Sequence, residues 1–499
     1  MKSEDIVAAM DLGSNSFHMI VARITNKHVQ ILDRLREMVQ LAAGLDERNW
    51  LSEVSQRRAL DCLARFGQRL QHIAPQRLRI VGTNTLRQAR NSAEFLKCAE
   101  ELLGHNNIEI ISGQEEARLI YLGVVHSVAN IPGRRLVVDI GGGSTELIIG
   151  KKFETLQLNS LKMGCVNLSR TYFDDGRITD SRLLEAELHV QLKLEPVLEE
   201  YLEVGWDVVT GTSGSIKTIQ DVLIREGWSR DSITLDGLSR LKAILLDAGH
   251  VAVIGNRWQM GIARSQVLPG GFIILQQLFE ALRIQDMQVS EGALREGLIY
   301  DLLGRIHQED VRNRTITTVI DRYYLDHAQS ERVNLTAQNL LVQARIKWNL
   351  NGERFSQILE WAARLHEIGM LLNYSRHHKH GFYILQNANL PGFSQSDQAL
   401  LAILIKNHRR SFRISTFAHL PGDVVSLQAQ QLCMLLRLAV VLNRSRNRQL
   451  QPVPALLLKQ KRVCLKFPIG WLETHPLTKV DLKVEARFLL KAGYRLNFS

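Results

Sequence analysis

The segment at residues 135–150 places two short apolar runs around a glycine-rich turn, and this pattern restricts the local fold to a hairpin. In order it contains Leu136–Val138, Asp139, Gly141, Gly142, Gly143, Ser144, Thr145, Glu146 and Leu147–Ile149. Short apolar runs bounded by glycine predict two buried strands joined by a tight turn. Bare glycine amides favour an anion in that turn, and acids on its two shoulders could hold a hard cation against the anion. An ordinary hairpin with solvated acids is the alternative.

The same strand–acid–turn–strand unit occurs 128 residues earlier, at the start of the chain. Aligning Asp11 with Asp139 also aligns a glycine, a serine and the second apolar run of each unit. These matches are Gly13 with Gly141, Ser16 with Ser144, and Met19–Val21 with Leu147–Ile149. The repeat therefore predicts two similar lobes that face each other across a phosphate-sized cleft.

A pair of glutamates opens a predicted helix between the two units. Ser112 and Glu115 have the spacing of a capping box, in which the Glu115 side chain reaches back to the Ser112 amide. Glu116, one residue further on, points about 100° away around the helix and is left free for chemistry. Alternatively, both acids only favour the positive end of the helix dipole.

Two other small-residue turns follow predicted strands. Arg87 lies just after the strand Arg79–Val81 and could reach a phosphate, although a surface ion pair accounts for it equally well. The other turn leads from the strand Trp206–Thr210 into a helix, where it could contact phosphate or a nucleoside. It consists of Gly211, Thr212, Ser213 and Gly214.

The composition indicates a large globular protein with an anionic partner. At 499 residues the chain is too long for one core, and its formal charge of +11 points to nucleic acid, polyphosphate or acidic lipid. No apolar run long enough for a membrane span occurs, and Leu432–Leu442 is expected to be a core helix because Arg437 interrupts it. The five cysteines form no C-x-x-C pair, which predicts reduced thiols in a cytoplasmic protein.

Near residue 305 the strand–turn–helix rhythm gives way to a predicted helical region rich in histidine and basic residues. Leu365–Gly369 resembles the motif of metal-dependent HD phosphohydrolases, but Glu367 follows His366 where that family has aspartate. Because no convincing set of further ligands is present, we expect a surface for polyanions, with a solvated basic face as the alternative. This expected basic wall consists of His378, Lys379, His380, Lys406, Arg409 and Arg410.

Five motifs, in this order, resemble those of the bacterial exopolyphosphatase/guanosine pentaphosphatase family within the actin, chaperone and sugar-kinase superfamily. They are Asp11–His18, Ser112–Arg118, Asp139–Glu146, Gly211–Gly214 and Gly292–Gly297. The resemblance implies an α/β fold of two actin-like (ribonuclease H-like) lobes with an interlobe cleft, then an α-helical HD-like domain and a small α+β C-terminal domain. The expected boundaries are 1–125 for lobe I, 126–304 for lobe II, 305–450 for the helical domain and 451–499 for the last domain.

The resemblance also implies roles for individual residues. In the family the second glutamate of the pair is the general base that activates water, and in this sequence that residue is Glu116. Asp11, Asp139 and Glu146 are expected to hold Mg²⁺, partly through water. The expected phosphate-binding residues are Gly13, Ser14, Asn15, Ser16, Arg87, Gly141, Gly142, Gly143, Ser144, Thr145, Gly211, Thr212, Ser213 and Gly214.

Three functions remain open: a hydrolase of polyphosphate or guanosine pentaphosphate, an ATP-dependent kinase of the same superfamily, and a nucleic-acid-binding protein. A base placed for water favours hydrolysis, and no helix-turn-helix or RNP-like signal supports specific nucleic-acid binding. We predict processive release of terminal orthophosphate from inorganic polyphosphate, because residues 376–413 offer a basic track and no guanine-reading motif is present. Hydrolysis of guanosine pentaphosphate is the alternative. The resemblance further implies a homodimer in the cytoplasm, peripherally associated with the inner membrane.

Overall fold

The computed structural model forms two compact units, the N-terminal unit Met1–Asp310 and the C-terminal unit Val311–Ser499. The residues it describes are 6–25, 28–104, 108–128, 133–306, 310–418, 420, 426–447, 452–459 and 461–499. None of the described helices combines the length and the apolar character needed to cross a bilayer.

The first lobe of the N-terminal unit is a sheet packed against helices. Its strands are β1 (Ile6–Leu12), β2 (Ser16–Thr25), β3 (His28–Met38), β4 (Leu78–Gly82) and β5 (Ile108–Ile110). Its helices are α1 (Glu53–Leu70), α2 (Asn84–Gln88), α3 (Ser92–Leu103) and α4 (Gly113–Ser127). The strands lie in the order β3-β2-β1-β4-β5; β1, β2 and β3 pair antiparallel, whereas β4 pairs parallel with β1 and β5 parallel with β4.

The second lobe follows the same plan. Its strands are β6 (Arg134–Ile140), β7 (Thr145–Lys151), β8 (Glu154–Leu161), β9 (Val208–Thr212), β10 (Ser232–Thr234) and β11 (Asp286–Val289). The helices are α5 (Cys165–Tyr172), α6 (Asp180–Val204), α7 (Gly214–Arg225), α8 (Leu235–Ala248), α9 (Val251–Arg257), α10 (Ile262–Ala281) and α11 (Leu294–Ile306). The strand order β10-β11-β9-β6-β7-β8 repeats that of the first lobe, with β10 added antiparallel at one edge.

A shared hydrophobic cluster joins the two lobes. It contains Val7 and Ile20 from the first sheet and Val137 and Ile148 from the second, each at most 1% exposed, together with residues of α4 and α11. Two repeated α/β lobes on a common core confirm the predicted actin-like architecture, and they leave the β1–β2 and β6–β7 turns free to form a site.

The C-terminal unit combines helices with a small sheet. Its elements are α12 (Val311–Arg322), α13 (His327–Ala344), α14 (Glu353–Leu365), α15 (His377–Asn387), α16 (Gln395–Asn407), α17 (Ser426–Leu442), β12 (Ala455–Lys459), β13 (Arg462–Lys466), α18 (Trp471–Thr474), α19 (Pro476–Lys491) and β14 (Arg495–Phe498). The strands lie in the order β12-β13-β14. One hydrophobic core contains Leu404 and Leu436 of the helices as well as Val463 and Leu496 of the strands, so the expected boundary at residues 450–451 does not divide this core.

Helix α17 runs through this core and confirms the expected core helix. Arg437 is fully buried at its centre, and its guanidinium donates to both carboxylate oxygens of Glu485 on α19, at 2.5 and 2.9 Å. A buried charge is tolerated when its partner neutralises it in this way.

Candidate active site

A cavity of about 220 Å³ lies between the two lobes at their hairpin turns. The two turns touch there. A Cβ atom built onto Gly142 would lie 3.3 Å from Ser14 Cβ, and one built onto Gly143 would lie 2.1 Å from the side-chain nitrogen Nδ2 of Asn84. A larger residue at position 143 would therefore require the Asn84 side chain to move. The predicted site residues that line the cavity are Asp11, Gly13, Ser14, Asn15, Ser16, Glu116, Asp139, Gly141, Gly142, Gly143, Ser144, Glu146, Thr212, Ser213 and Gly214.

Both turns are anchored through their carbonyl groups. The Asn15 carbonyl accepts from the amides of Val39 and Gln40, at 3.0 and 2.8 Å, and the Gly142 carbonyl accepts from the Val166 amide at 3.0 Å. Within the part of the chain that the structure describes, the N–H groups of the two turns at 14, 15, 142 and 143 donate to no protein acceptor. Neighbouring N–H groups without acceptors form the kind of nest that binds an anion.

Four carboxylates crowd the same cavity: Asp11 and Asp139 on β1 and β6, Glu146 on β7 and Glu116 on α4. Burial, followed by the nearby charge of Glu116, raises the pKa of Asp11 to about 8 and that of Asp139 to about 7. The same two causes raise the pKa of Glu146 well above its ordinary value, although Ser160 Oγ donates to this carboxylate at 2.8 Å. Like charges held together in a buried place favour a counter-ion between them.

The donor set fits a hard cation. Asp11 Oδ1 is buried and has no hydrogen-bond partner among the described residues, and the available ligand atoms are carboxylate oxygens, which Mg²⁺ prefers. Among the described residues, no three His, Cys, Asp or Glu side chains converge to enclose an ion by themselves. Because Mg²⁺ retains several of its waters and needs only one or two protein carboxylates, the acids remain compatible with it.

Glu116 is held by an arginine from the neighbouring element. Arg87 Nη1 donates to Glu116 Oε2 at 3.2 Å and to the Ile111 carbonyl at 2.7 Å. Burial raises the pKa of Glu116, and Arg87 opposes this rise. Arg87 does not itself line the cavity, and its pairing with Glu116 agrees better with the ion-pair interpretation of this residue than with the phosphate contact.

At the start of α4 the structure contains one of the two contacts predicted for the capping box. Ser112 caps the helix as expected, with its Oγ accepting from the Glu115 amide at 3.1 Å. The Glu115 carboxylate, however, accepts from Arg118 at both oxygens, each at 2.8 Å, and lies 3.7 Å from Arg79. The predicted contact with the Ser112 amide is therefore wrong, because buried arginines compete for the carboxylate.

His18, Ser16 and Arg295 form a hydrogen-bonded chain at the cavity wall. All three lie in the motifs Asp11–His18 and Gly292–Gly297, but the motifs gave no role to His18 or Arg295. Arg295 Nη1 can only donate, so His18 Nδ1 accepts from it at 2.6 Å, and His18 Nε2–H donates to Ser16 Oγ at 2.8 Å. Burial and the Arg295 charge lower the pKa of His18 to about 3, which keeps the ring neutral. The Ser16 hydroxyl therefore retains its proton for a bound phosphate. The 128-residue repeat could have identified His18 as a site residue. It lies opposite Asp11 in the first hairpin, as Glu146 lies opposite Asp139 in the second.

The third turn also contributes to the cavity, through Thr212, Ser213 and Gly214. Ser213 has a φ of 103°, which is strained for a non-glycine residue, and its Oγ caps α7. Gly211 and Thr145 do not line the cavity. Gly211 packs against Met287, and Thr145 is fully buried with its hydroxyl donating to a carbonyl at 2.7 Å.

The predicted basic wall of the C-terminal unit is not uniformly exposed or charged. His378 is buried, and burial followed by the charge of Arg409 lowers its pKa to about 4, so the ring is neutral near pH 7. His378 therefore adds no positive charge to the predicted wall near pH 7. Lys406 Nζ lies 4.0 Å above the ring of Phe382. The wall residues that are exposed or half-buried are Lys379, His380, Lys406, Arg409 and Arg410.

Comparisons with known proteins cover nearly the whole chain. Residues 20–306 match the Ppx/GppA phosphatase family, and residues 311–486 match Ppx/GppA phosphatase, domain III. A Vibrio cholerae protein named guanosine-5'-triphosphate,3'-diphosphate pyrophosphatase is 39% identical over 497 residues, which are 99% of this chain and 98% of that protein. A Vibrio parahaemolyticus protein of the same name is 40% identical over 498 residues, which are 100% of this chain and 99% of that protein.

Solved structures resemble a large part of the chain. The PPX-GPPA enzyme of Aquifex aeolicus aligns with a TM-score of 0.51 at 25% identity, and covers 59% of this chain and 98% of its own. An exopolyphosphatase from Cytophaga hutchinsonii aligns with a TM-score of 0.55 at 23% identity, and covers 60% of this chain and 97% of its own. At 23% identity the second likeness concerns the fold alone.

Proposed function

This chain belongs to the Ppx/GppA phosphatase family, and we propose that it hydrolyses the terminal 5′-phosphoanhydride bond of guanosine 5′-triphosphate 3′-diphosphate. It is a hydrolase that acts on phosphoanhydrides. One observation carries the choice of substrate: the relatives at 39% to 40% identity over the full length bear the name guanosine-5'-triphosphate,3'-diphosphate pyrophosphatase.

The prediction that the chain is an exopolyphosphatase is wrong. The full-length relatives from Vibrio and Aeromonas are named for the guanosine nucleotide. That prediction rested on the number of basic residues in the C-terminal unit. Such a count overstates the charge of a surface, because a buried histidine such as His378 stays neutral.

In the proposed reaction the two turns bind the terminal phosphate. The free amides of Ser14, Asn15, Gly142 and Gly143 donate to its oxygens, and the Ser16 hydroxyl, which accepts from His18, adds a further donor. Donors that are already fixed by the hairpins stabilise charge on the phosphoryl oxygens without reorganising during the reaction. Mg²⁺, held by the cleft carboxylates partly through water, would offset that charge further.

Glu116 acts as the general base in this proposal. The carboxylate, oriented by Arg87, accepts a proton from water while the water oxygen attacks the terminal phosphorus in line. The new P–O bond forms as the bond to the bridging oxygen breaks. Orthophosphate and guanosine 5′-diphosphate 3′-diphosphate are the products. The raised pKa of Glu116 suits this role, because a base is most effective when its pKa lies near the working pH.

Phosphate release from three substrates tests this function. Guanosine 5′-triphosphate 3′-diphosphate, GTP and long-chain polyphosphate are compared at equal concentration of terminal phosphate. We expect kcat/KM for the doubly phosphorylated nucleotide to exceed the other two by about tenfold or more. A higher kcat/KM for polyphosphate would contradict the proposal.

Assembly and location remain predictions from the family resemblance. We expect a homodimer in the cytoplasm with peripheral association with the inner membrane. Analytical ultracentrifugation and fractionation of cells test these two points separately.

A further inference from the structure

A short segment behind the first hairpin turn, residues 39–44, holds that turn in place. The Ala42 amide donates to the Ser14 carbonyl at 2.9 Å. In a planar trans peptide the carbonyl and the following N–H point in opposite directions. With the Ser14 carbonyl fixed behind the turn, the Asn15 N–H therefore faces the other way, and Asn15 lines the cavity.

Segment 39–44 is packed into both lobes. Leu41 is fully buried in the hydrophobic core of the first lobe, whereas the next residue, Ala42, is 6% exposed and belongs to the core of the second. Gln40 has a φ of 51°, a left-handed conformation that is uncommon for a residue other than glycine. Neighbouring residues in two different cores and a strained backbone indicate that contacts with both lobes hold this segment.

Arg58 on α1 fixes the segment from the first lobe. Its guanidinium donates to the carbonyls of Val39 and Gln40, the latter at 3.2 Å, and to Ser55 Oγ at 3.1 Å. The amides of Val39 and Gln40 are the groups that donate to the Asn15 carbonyl. A planar guanidinium with several N–H groups holds two consecutive carbonyls in one geometry, which the ammonium of a lysine on its flexible stem does less well.

Arg170 fixes the segment from the second lobe. It lies on α5, and its Nη1 donates to the Ala42 carbonyl at 3.2 Å. The first turn of the same helix anchors the second hairpin turn, because the Val166 amide donates to the Gly142 carbonyl at 3.0 Å. Helix α5 therefore contacts the anchors of both hairpin turns.

We propose that Arg58 and Arg170 are positioning residues for the reaction, which act through segment 39–44 on the amides that bind the terminal phosphate. The inference rests on the proposed function, because it takes that phosphate to bind between the two turns. Neither arginine lines the cavity, so neither touches the substrate. Their hydrogen bonds hold the first turn in a fixed position, and donors to a phosphoryl group are effective when they are already in place.

Steady-state hydrolysis of guanosine 5′-triphosphate 3′-diphosphate by the full chain tests the positioning. We expect Arg58→Met to lower kcat by about 10- to 100-fold and Arg170→Met by about two- to tenfold, because the first loses two carbonyl contacts and the second loses one. Arg58→Lys keeps the charge and a donor, so its kcat should lie between those of the parent and Arg58→Met. Arg58→Lys and Arg170→Met keep the test decisive if Arg58→Met does not fold.

The double variant distinguishes positioning from a merely structural role. Both arginines act through one segment, so the loss of kcat in Arg58→Met with Arg170→Met should be smaller than the product of the two single losses. Single losses that multiply would show that the arginines share no path to the turn, and would overturn the inference.

A matched control removes a similar contact elsewhere. Like Arg170, Arg134 is an exposed arginine of the second lobe that donates to a backbone carbonyl, that of Val204, but it lies outside the cleft. Arg134→Met should therefore keep the parental kcat. An equal loss of kcat in Arg134→Met and Arg170→Met, or a parental kcat in Arg58→Met, overturns the inference.

Equilibrium binding separates this inference from the proposed function. Titration calorimetry measures the affinity for inorganic pyrophosphate, which Arg58→Met should lower by about tenfold. If the parent releases no phosphate from the nucleotide but binds pyrophosphate with an affinity that falls in Arg58→Met, the proposed function fails and the positioning stands. If the parent hydrolyses the nucleotide and both single variants match its kcat, the positioning fails and the proposed function stands.

Discussion

The carboxylates of the cleft and the histidines of the C-terminal unit are both buried clusters of ionisable side chains, but their hydrogen bonds differ. In the cleft, Asp11 Oδ1 has no partner within the described residues, and burial raises the pKa of Asp11 and Asp139 to about 8 and about 7. In the C-terminal unit, His366 and His408 each donate Nδ1–H to a backbone carbonyl of their own helix turn, at 2.7 Å. Burial lowers the pKa of His366 to about 4 and lowers that of His408 well below its ordinary value.

The histidine cluster has the residue types of a metal site without an open set of ligands. The rings of His377 and His408 stack with their centroids 5.3 Å apart, and the carboxylate of Glu367 forms an ion pair with Arg446. The cleft acids repel one another and leave an acceptor unused. In the histidine cluster His378 Nδ1 also lacks a partner among the described residues, but the rings are neutral near pH 7 and do not repel one another. The comparison teaches that the hydrogen-bond partners of a cluster, more than its residue types, indicate whether it binds a ligand or supports the fold.

Removal of divalent metal should produce the largest difference between the clusters. Excess EDTA is expected to abolish phosphate release, and added Mg²⁺ should restore it, because buried carboxylates and a phosphate cannot share the cleft without a counter-charge. The variant His366→Asn should show the same Mg²⁺ dependence as the parent. Full activity in EDTA would remove the metal from the mechanism, and an altered Mg²⁺ dependence in His366→Asn would give the histidines a role in it.

Substitution of the proposed catalytic base, Glu116, should have the second-largest effect on activity. Glu116→Gln keeps an acceptor for Arg87 but cannot take a proton, so kcat should fall by about 10²- to 10⁴-fold with little change in unfolding free energy. Glu115→Gln should instead destabilise the fold by about 1–3 kcal/mol, because Arg118 and Arg79 lose one buried counter-charge and keep Asp301. Activity assays and urea unfolding of both variants separate the two roles. Equal losses of turnover in the two variants would contradict the assignment of Glu116 as the general base.

A weaker effect is expected from a single cleft acid. Asp139→Asn should lower the apparent affinity for Mg²⁺ by about tenfold or more, and should reduce the rise in melting temperature that Mg²⁺ gives the parent. The melting temperature is measured against Mg²⁺ concentration by calorimetry. The matched variant His366→Asn should keep the full response. A normal response in Asp139→Asn would remove this acid from the metal site.

Local patterns in the sequence predicted the backbone of the site well. The repeated hairpins follow from apolar runs around glycine turns, and the Ser112 cap follows from the preference of serine for that position. Each of these features depends on residues within one short segment. The two lobes, the cleft between them and the helical half could therefore be foreseen.

Side-chain partners from distant segments could not be foreseen in this way. His18 meets Arg295 across 277 residues of chain, and Arg36 of β3 approaches Arg264 at the start of α10. Glu115 pairs with Arg118 of its own helix, which a local pattern could have indicated, and with Arg79 of a distant strand, which it could not. Substrate preference was missed because charge was counted along the sequence, whereas burial decides which groups are charged.

The smallest expected effect concerns the acid stability that the histidine cluster gives the C-terminal unit. The pKa of His366 is about 4 in the folded protein, below the ordinary value of 6.5, because burial disfavours the charged ring. Between these pH values the unfolded chain binds more protons than the folded one, so unfolding becomes easier as the pH falls. The stabilising contribution is complete above about pH 6.5 and is lost as the pH approaches about 4.

His366→Asn tests this contribution, because asparagine can still donate to the Ala363 carbonyl but does not titrate. The parent should lose about 1–2 kcal/mol more unfolding free energy than the variant between pH 7 and pH 5, measured by urea unfolding. Taking the difference between parent and variant cancels the opposite pH dependence of the cleft acids, which both proteins share. Equal losses in the two proteins would show that His366 is not held neutral by burial, and the contrast between the two clusters would then rest on hydrogen bonds alone.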